Sequence, residues 1–328
     1  MSVSIAIINY NTRDLLVGCL QSIRRSFPSD TEIIVVDNAS CDLSVSTVEK
    51  QFPQVQLVRN SGNLGFSKAC NQAMRLAHGE VVLLSNPDIE FFDESYKHAI
   101  NYLEKDETVG IVGPRLLNND GTLQPSAFRN FPSLLTVLWE NTLTGQVLNR
   151  FFPEKNLPGK YLYSNIEHES LLYPAHVSGA LLVLRKETWV GVGGFDERFF
   201  MFREETDFCK RARDLEWEII YLPDFRVYHH QAQSIKIHGL ENKLRLYLHS
   251  TYLYHIKHFG TLSSAILCLL NLSKSAADLA VFSLVFAVSR ILRIRAMHRR
   301  VRWYLIYSYL TLKIHLIPKF LLRRGITH

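Results

Sequence analysis

Carboxylates, imidazoles and side-chain amides gather at a few places in this chain, each next to a short apolar run. Asn9-Tyr10-Asn11 follow one run and Asp37-Asn38-Ala39-Ser40 a second. Arg59-Asn60-Ser61-Gly62-Asn63-Leu64-Gly65-Phe66 follow a third, and Ser85-Asn86-Pro87-Asp88 a fourth. Farther on, the aromatic run Phe199-Phe200-Met201-Phe202 leads into Glu204-Glu205-Thr206-Asp207, and another apolar run ends at His229-His230. Side chains of these types can hold a hard divalent cation through oxygen, take a proton from a hydroxyl or hydrogen-bond a polar ligand. Any one cluster means little, because Asn, Asp and Gly favour turns. Together they require a scaffold that brings them to one place.

That scaffold is legible as alternating strands and helices. Apolar, β-branched runs at Val3–Ile8, Glu32–Val36, Val55–Val58, Val81–Leu84 and Gly110–Gly113 read as strands. Amphipathic stretches at about Arg13–Arg25, Leu43–Gln51, Phe66–His78 and Asp93–Glu104 read as helices, the first with Thr12 as its expected N-cap. The alternation predicts an α/β fold with a mostly parallel sheet and flanking helices. Such a sheet binds ligands beyond the carboxyl ends of its strands, and all four polar clusters fall there. A loop-rich stretch from about 115 to 175 carries Pro114, Pro125, Pro132, Pro153, Pro158 and Pro174. Ordered patterns resume at His176–Ala180, the strand Leu181–Leu184, a helix at Thr206–Arg213, and strands at Ile219–Leu222 and Phe225–Tyr228.

With 47% apolar and 21% charged residues the 328-residue chain is a folded protein, long enough for a large domain and an appendage. The net charge of +6 conceals a split. Residues 1–234 hold 22 Lys and Arg against 29 Asp and Glu, a net of −7, whereas residues 235–328 hold 15 against 2, a net of +13. An anionic partner surface for the tail follows. Five cysteines without CxxC spacing argue against a disulfide framework or a zinc site and for a reducing cytosol. The start MSVSIAIINYN lacks a basic, cleavable leader pattern and reads as a strand, so no signal peptide is expected.

The segments VSIAIINYNT, IIVVDNASCD, RNSGNLGFSKACNQAM, GEVVLLSNPDIEF, VSGALLVLRKETWVGVGGFDERFFMFREETDFCKR and VYHHQAQS run in order across residues 3–234. In this order they resemble the inverting glycosyltransferase family numbered two, of GT-A (Rossmann-like) fold, and within it the bacterial rhamnosyltransferase-like branch that builds cell-surface polysaccharides. The resemblance implies transfer of a sugar, with rhamnose suggested by the branch, from a dTDP- or UDP-sugar to a hydroxyl of a polysaccharide or polyprenyl diphosphate-linked acceptor. It also implies a divalent metal, Mg or Mn.

Residue roles follow from the same resemblance. The family's DxD-type motif at the end of the fourth strand reads Asn86-Pro87-Asp88 here, so Asp88 is the expected metal ligand and the site is poorer in carboxylates than a full DxD. Asp37 is expected against the donor's pyrimidine, where a carboxylate can accept the N3–H that cytosine lacks. Asn9, Asn11, Asn63, Gly65 and Asn86 are expected around the donor, with Gly65 allowing close approach. One of His229 and His230, His229 by preference, is expected near the diphosphate or metal. Glu205 aligns with the family's catalytic Asp and is the expected base, with Glu204 the competing assignment.

The tail is read as a second region, 235–328, after a catalytic domain at 1–234. Its apolar blocks Leu262–Leu272 and Leu279–Val288 each fall short of the roughly 20 residues that cross a bilayer. The run Arg290-Ile291-Leu292-Arg293-Ile294-Arg295, then Arg299, Arg300 and Arg302 with Trp303, Tyr304, Tyr307 and Tyr309, suits a membrane interface. The expectation is a helical, peripheral or monotopic region on the cytoplasmic face of the inner membrane, with no nucleic-acid partner. Two rival readings remain, a sugar nucleotidyltransferase and a non-catalytic membrane scaffold that keeps the fold.

Overall fold

The computed structural model describes residues 1–124, 127–134, 169–230, 239–291 and 295–315, and their side chains except at 288–291, 295–300 and 303. Pro125, much of the proline-rich stretch (135–168), the end of VYHHQAQS (231–234) and residues 292–294 of the arginine run lie outside the described residues. The chain divides into two compact units, Met1–Phe131 with Gly159–Ile237, and Pro132–Pro158 with His238–His328.

The first unit is built on one eight-stranded sheet. Its strands are β1 (Val3–Asn9), β2 (Glu32–Asp37), β3 (Gln56–Arg59), β4 (Val81–Ser85), β5 (Ile89–Glu90), β6 (Val109–Leu117), β9 (Leu181–Arg185) and β10 (Glu218–His229). Two short strands, β7 (Phe128–Arg129) and β8 (His176–Val177), pair separately. The sheet order is β3-β2-β1-β4-β9-β6-β10-β5. The block β3-β2-β1-β4 is parallel, β9 is antiparallel to both neighbours, and β6 and β10 are parallel to each other. Ile5–Ile8 of β1 are all buried, as a continuous apolar run must be when helices cover both faces. Those helices are α1 (Arg13–Ser26), α2 (Ser44–Gln51), α3 (Phe66–Leu76), α4 (Tyr96–Lys105), α5 (Lys186–Val192) and α6 (Glu204–Asp214). In α1, Leu16, Cys19, Leu20 and Ile23 are buried at spacings of three and four, the stripe an amphipathic helix presents to a core.

Two local expectations change in detail. Thr12 precedes α1 without capping it; its hydroxyl donates to Asn9 Oδ1 (2.7 Å), and Asp42 accepts from the backbone N–H of Arg13 instead (2.8 Å). The two expected strands Ile219–Leu222 and Phe225–Tyr228 are one strand, β10, whose register against β6 slips between Leu222 and Arg226. Pro223 lies in that slip, where a missing N–H costs no ladder bond. All five cysteines are free.

The second unit holds α7 (Gly239–Ile291) and α8 (Arg295–His315). Gly260, at φ 83° and ψ 169°, breaks α7 into two helical arms. The two apolar blocks expected to be separate lie on the second arm without interruption. One helix among the described residues, Gly239–Ala287, is thereby long and apolar enough to cross a membrane by length and composition. Leu244, Leu248, Tyr252, Leu267 and Ile314 form a small core between the helices.

Candidate active site

The parallel block ends at one edge, and its terminal side chains bond to one another. Asn9 and Asp37 are register partners at the ends of β1 and β2. Asn9 Nδ2 donates to Asp37 Oδ2 (2.8 Å), and the backbone N–H of Ser40 donates to Asp37 Oδ1 (2.8 Å). Each oxygen of this buried carboxylate keeps a further lone pair. The Ser40 hydroxyl also accepts from Asn9 Nδ2 (3.1 Å) and from the Asn11 backbone (2.8 Å), while Asn11 Oδ1 accepts from Cys41 N (2.8 Å). Asn11 sits at φ 52°, in the left-handed region that Asn tolerates. Asn9 and Asn11 thus fix the loop that presents Asp37.

Gly65 carries a different constraint. Its φ is 87°, and a Cβ there would lie 2.8 Å from the Phe200 carbonyl oxygen and ring. Phe66 N donates to that carbonyl (2.7 Å), and Asn63 Oδ1 accepts from Gly65 N (3.0 Å). The close approach here is therefore chain to chain, joining the start of α3 to the aromatic run before α6. Asn38 Nδ2 secures the same turn through the Gly65 carbonyl (3.1 Å).

After β4 the chain turns through Asn86-Pro87-Asp88 into β5, which pairs antiparallel with the end of β10 in the register Ile89–His229. That ladder brings Asp88 beside His229. His229 Nε2 lies 3.4 Å from Asp88 Oδ1, and this buried oxygen has no hydrogen-bond partner. Gln124 sets the imidazole. Its Nε2 faces two carbonyls, His229 O (2.7 Å) and Leu117 O (3.3 Å), so its Oε1 must accept from His229 Nδ1 (2.8 Å). With Nδ1 engaged by Gln124, Nε2 is the ring atom that faces the carboxylate oxygen. A proton or a metal ion can bridge such a pair, and its oxygen–imidazole chemistry suits a divalent metal. His230 is engaged elsewhere, through Asn119 Oδ1 (2.7 Å) and Glu90 Oε2 (2.8 Å). Among the described residues no group of three His, Cys, Asp or Glu side chains surrounds a metal position; a bound diphosphate or water can supply further oxygen ligands.

The acidic run opens α6 after two successive non-glycine residues in the left-handed region, Phe202 (φ 71°) and Arg203 (φ 68°). Such strain persists only where surrounding structure holds it. Asp207 Oδ2 pairs with Arg211 Nε (2.8 Å), whose other nitrogens bind the carbonyls of Val192 and Gly194, both at 2.8 Å. Asn71 on α3 binds both the N–H and the carbonyl of Phe195. Gly193-Gly194-Phe195 is thus an anchoring motif. Of the two adjacent acids, Glu204 is buried and its Oε2 has no hydrogen-bond partner. Burial first, and Glu205 second, hold it well above the usual carboxylate range. Glu205 is half-buried, and Gly179 packs on it so closely that a Cβ at 179 would lie 3.3 Å from Glu205 Cβ. The neighbouring Ala180 carbonyl accepts from Asn86 N (2.8 Å), tying the Asp88 turn to the Gly179 segment.

The carboxyl-end rule pointed to Asn9, Asp37 and Asp88, and all three lie at that edge. Gln124 carried no signal in the chain's patterns, and Ser40 and Gly179, though inside quoted segments, were given no role, because each acts on a residue distant in sequence or through a backbone turn.

Residues 4–163 match the family described as Glycosyl transferase family 2. The chain is 28% identical, over 75% of its length and 81% of the relative's, to N-acetylglucosaminyl-diphospho-decaprenol L-rhamnosyltransferase of Mycobacterium tuberculosis. Its fold resembles the mannosyltransferase PcManGT from Pyrobaculum calidifontis, solved with GDP-Man and Mn2+ (TM-score 0.58, 19% identity, 97% of this chain and 87% of that one). It also resembles GalNAc-T7, solved with UDP, GalNAc and Mn2+, of which it spans less than half (TM-score 0.52, 15% identity, 75% of this chain and 47% of that one). Residues 4–163, just under half of the chain, thus carry a glycosyl transferase family 2 domain, and the fold around it is of the GT-A type.

Proposed function

We propose that the chain transfers a sugar, with inversion, from a dTDP- or UDP-sugar to a hydroxyl of a polyprenyl diphosphate-linked saccharide. Rhamnose is the donor sugar favoured by the mycobacterial relative. Residues 1–234 are the catalytic domain in this reading, and residues 235–328 hold it at the cytoplasmic face of the inner membrane. The work belongs to cell-surface glycan synthesis.

The observation that carries the reading is the pair formed by Asp88 and His229. A carboxylate oxygen without a hydrogen bond faces an imidazole nitrogen at 3.4 Å, an arrangement suited to Mg or Mn. When bound, that cation supplies charge neutralisation at the leaving diphosphate. Asp37 receives the pyrimidine edge, and Asn9 and Asn11 hold its loop. Asn63, Gly65 and Asn86 belong to the turns that border the donor. Glu205 takes the proton of the acceptor hydroxyl as its oxygen attacks the anomeric carbon. The geometry favours Glu205 over Glu204, because a fully buried acid held above the usual range keeps its own proton.

The test is incubation with a panel of dTDP- and UDP-sugars and a polyprenyl diphosphate-linked acceptor. Transfer with release of nucleoside diphosphate supports the reading. Release of pyrophosphate would make the chain a nucleotidyltransferase, and failure to consume any donor would favour the scaffold.

A further inference from the structure

The second arm of α7 buries a row of small hydroxyl residues and exposes a row of aliphatic ones, with Ser273 and Ser283 also exposed. Residues 262, 266, 269, 277, 280 and 284 follow one another at spacings of three, four and eight, so they share one face. They are Leu, Ile, Leu, Ala, Ala and Leu, and all are exposed, Leu262 by 72% and Leu284 by 67%. The opposite face buries Ser263, Ser264 and Ser275 along with Leu267 and Phe282. Asn271, Lys274 and Ser275 line a small cavity with Tyr307 and Thr311 of α8. Ser308 and Thr311 are themselves buried on α8. A helix of a water-soluble core shows the reverse arrangement. Packing through small hydroxyl residues while leucines face outward is what a lipid solvent selects.

The direction in which this arm meets lipid follows from its charges. Between 261 and 287 its charged residues are Lys274 and Asp278, and Lys274 is at the midpoint. A crossing helix would carry that lysine to the bilayer centre, where an ionisable group is costly. Crossing would also send the six arginines of 290–302 to the leaflet opposite Gly239, against the preference of arginine for the cytoplasmic side. Lying in the plane removes both conflicts, since the arm's two ends then share one leaflet.

We propose that residues 261–287 lie within one membrane leaflet, parallel to its surface. Leu262, Ile266, Leu269 and Leu284 dip into the acyl region, and the net charge of +13 over residues 235–328 favours a leaflet rich in anionic headgroups. This deepens the membrane part of the reading above and is independent of its chemistry.

The test uses the full chain with Cys41→Ser and Cys268→Ser, which leaves Cys19, Cys70 and Cys209, all buried. Leu262→Cys, Ser273→Cys and Leu284→Cys, singly, carry an environment-sensitive fluorophore. Each is bound to phosphatidylcholine–phosphatidylglycerol vesicles containing nitroxide quenchers at shallow or deep acyl positions. The expected result is equal quenching at all three sites, stronger from the shallow nitroxide. Deep quenching at 273 with shallow quenching at 262 and 284 would mean a crossing helix and overturn the proposal. Flotation without quenching at any site would mean that another surface binds, or that a second copy covers this face, and would also overturn it. Loss of flotation altogether would sink the membrane reading itself. Unlabelled Leu269→Glu/Leu284→Glu provides an independent check: partition into the vesicles should fall at least about tenfold, and unchanged partition contradicts the proposal.

Discussion

Asp88 Oδ1 stands 3.4 Å from His229 Nε2 with no hydrogen bond of its own, while Gln124 holds the other ring nitrogen of His229 at 2.8 Å. The relationship depends on an antiparallel ladder of two residue pairs, Ile89 with His229 and Glu90 with Tyr228. It turns a lone aspartate after a strand into one half of a directed pair. Outer partners of this kind commonly fix a ligand's tautomer and raise its basicity.

Gln124→Leu should therefore weaken metal-dependent donor binding by about 10- to 100-fold. It leaves the carbonyls of Leu117 and His229 without their donor, which costs about 1–3 kcal/mol of stability. Donor titrations in Mn2+ and in chelator, with urea unfolding in parallel, check both effects. Unchanged metal dependence in a folded variant would remove Gln124 from the account.

Glu205→Gln should keep donor binding and lose transfer by at least about a hundredfold, the usual scale for a general base. Glu204→Gln should transfer at close to the native rate. Single-turnover assays with saturating donor separate the two, and the opposite pattern would shift the base to Glu204.

Glu204 also makes a prediction about pH. Its folded pKa is raised above the unfolded reference value of 4.5, chiefly by burial. The folded state then binds the extra proton, so this group's stabilising contribution is complete below pH 4.5 and declines as pH rises through the folded value. Glu204→Gln removes that decline. Urea midpoints of the variant should gain on those of the native protein from pH 5 to pH 8, the direction set by about one proton. A constant difference across that range would contradict a protonated Glu204.

Gly179→Ala should act on Glu205. The added methyl would lie 3.3 Å from Glu205 Cβ and 3.4 Å from its Cγ, so the side chain must give way. Transfer should fall about tenfold or more, as misplacement of a reacting group does, with donor affinity little changed. Loss of donor affinity instead would mean that the segment serves the nucleotide.

Much of this arrangement was readable before any coordinates. Ile5–Ile8 and Ile33–Val36 are unbroken apolar runs, and polar residues directly after them lie at strand ends whatever the details. The choice between His229 and His230 was not readable, because it depends on which residue of β10 faces Ile89 across a ladder between distant segments. Gly65 read as a place of close approach to the donor, but the neighbour that meets it, Phe200, is brought close only by tertiary packing. Lys274 and Asp278 read as breaks between two apolar blocks. The second arm runs through both without a break, and Lys274 lines the small cavity beside α8.

The central claim is that Asp88 and His229 hold a divalent cation together with the donor's diphosphate. Calorimetric titration of dTDP and UDP into the native protein and into Asp88→Ala, each with Mn2+ and with chelator, tests it most directly. Binding to the native protein should be strengthened by Mn2+, and Asp88→Ala should lose that gain while keeping its fold and the weaker metal-free binding. Equal binding with and without metal in the native protein, or an undiminished Mn2+ effect in Asp88→Ala, would contradict it.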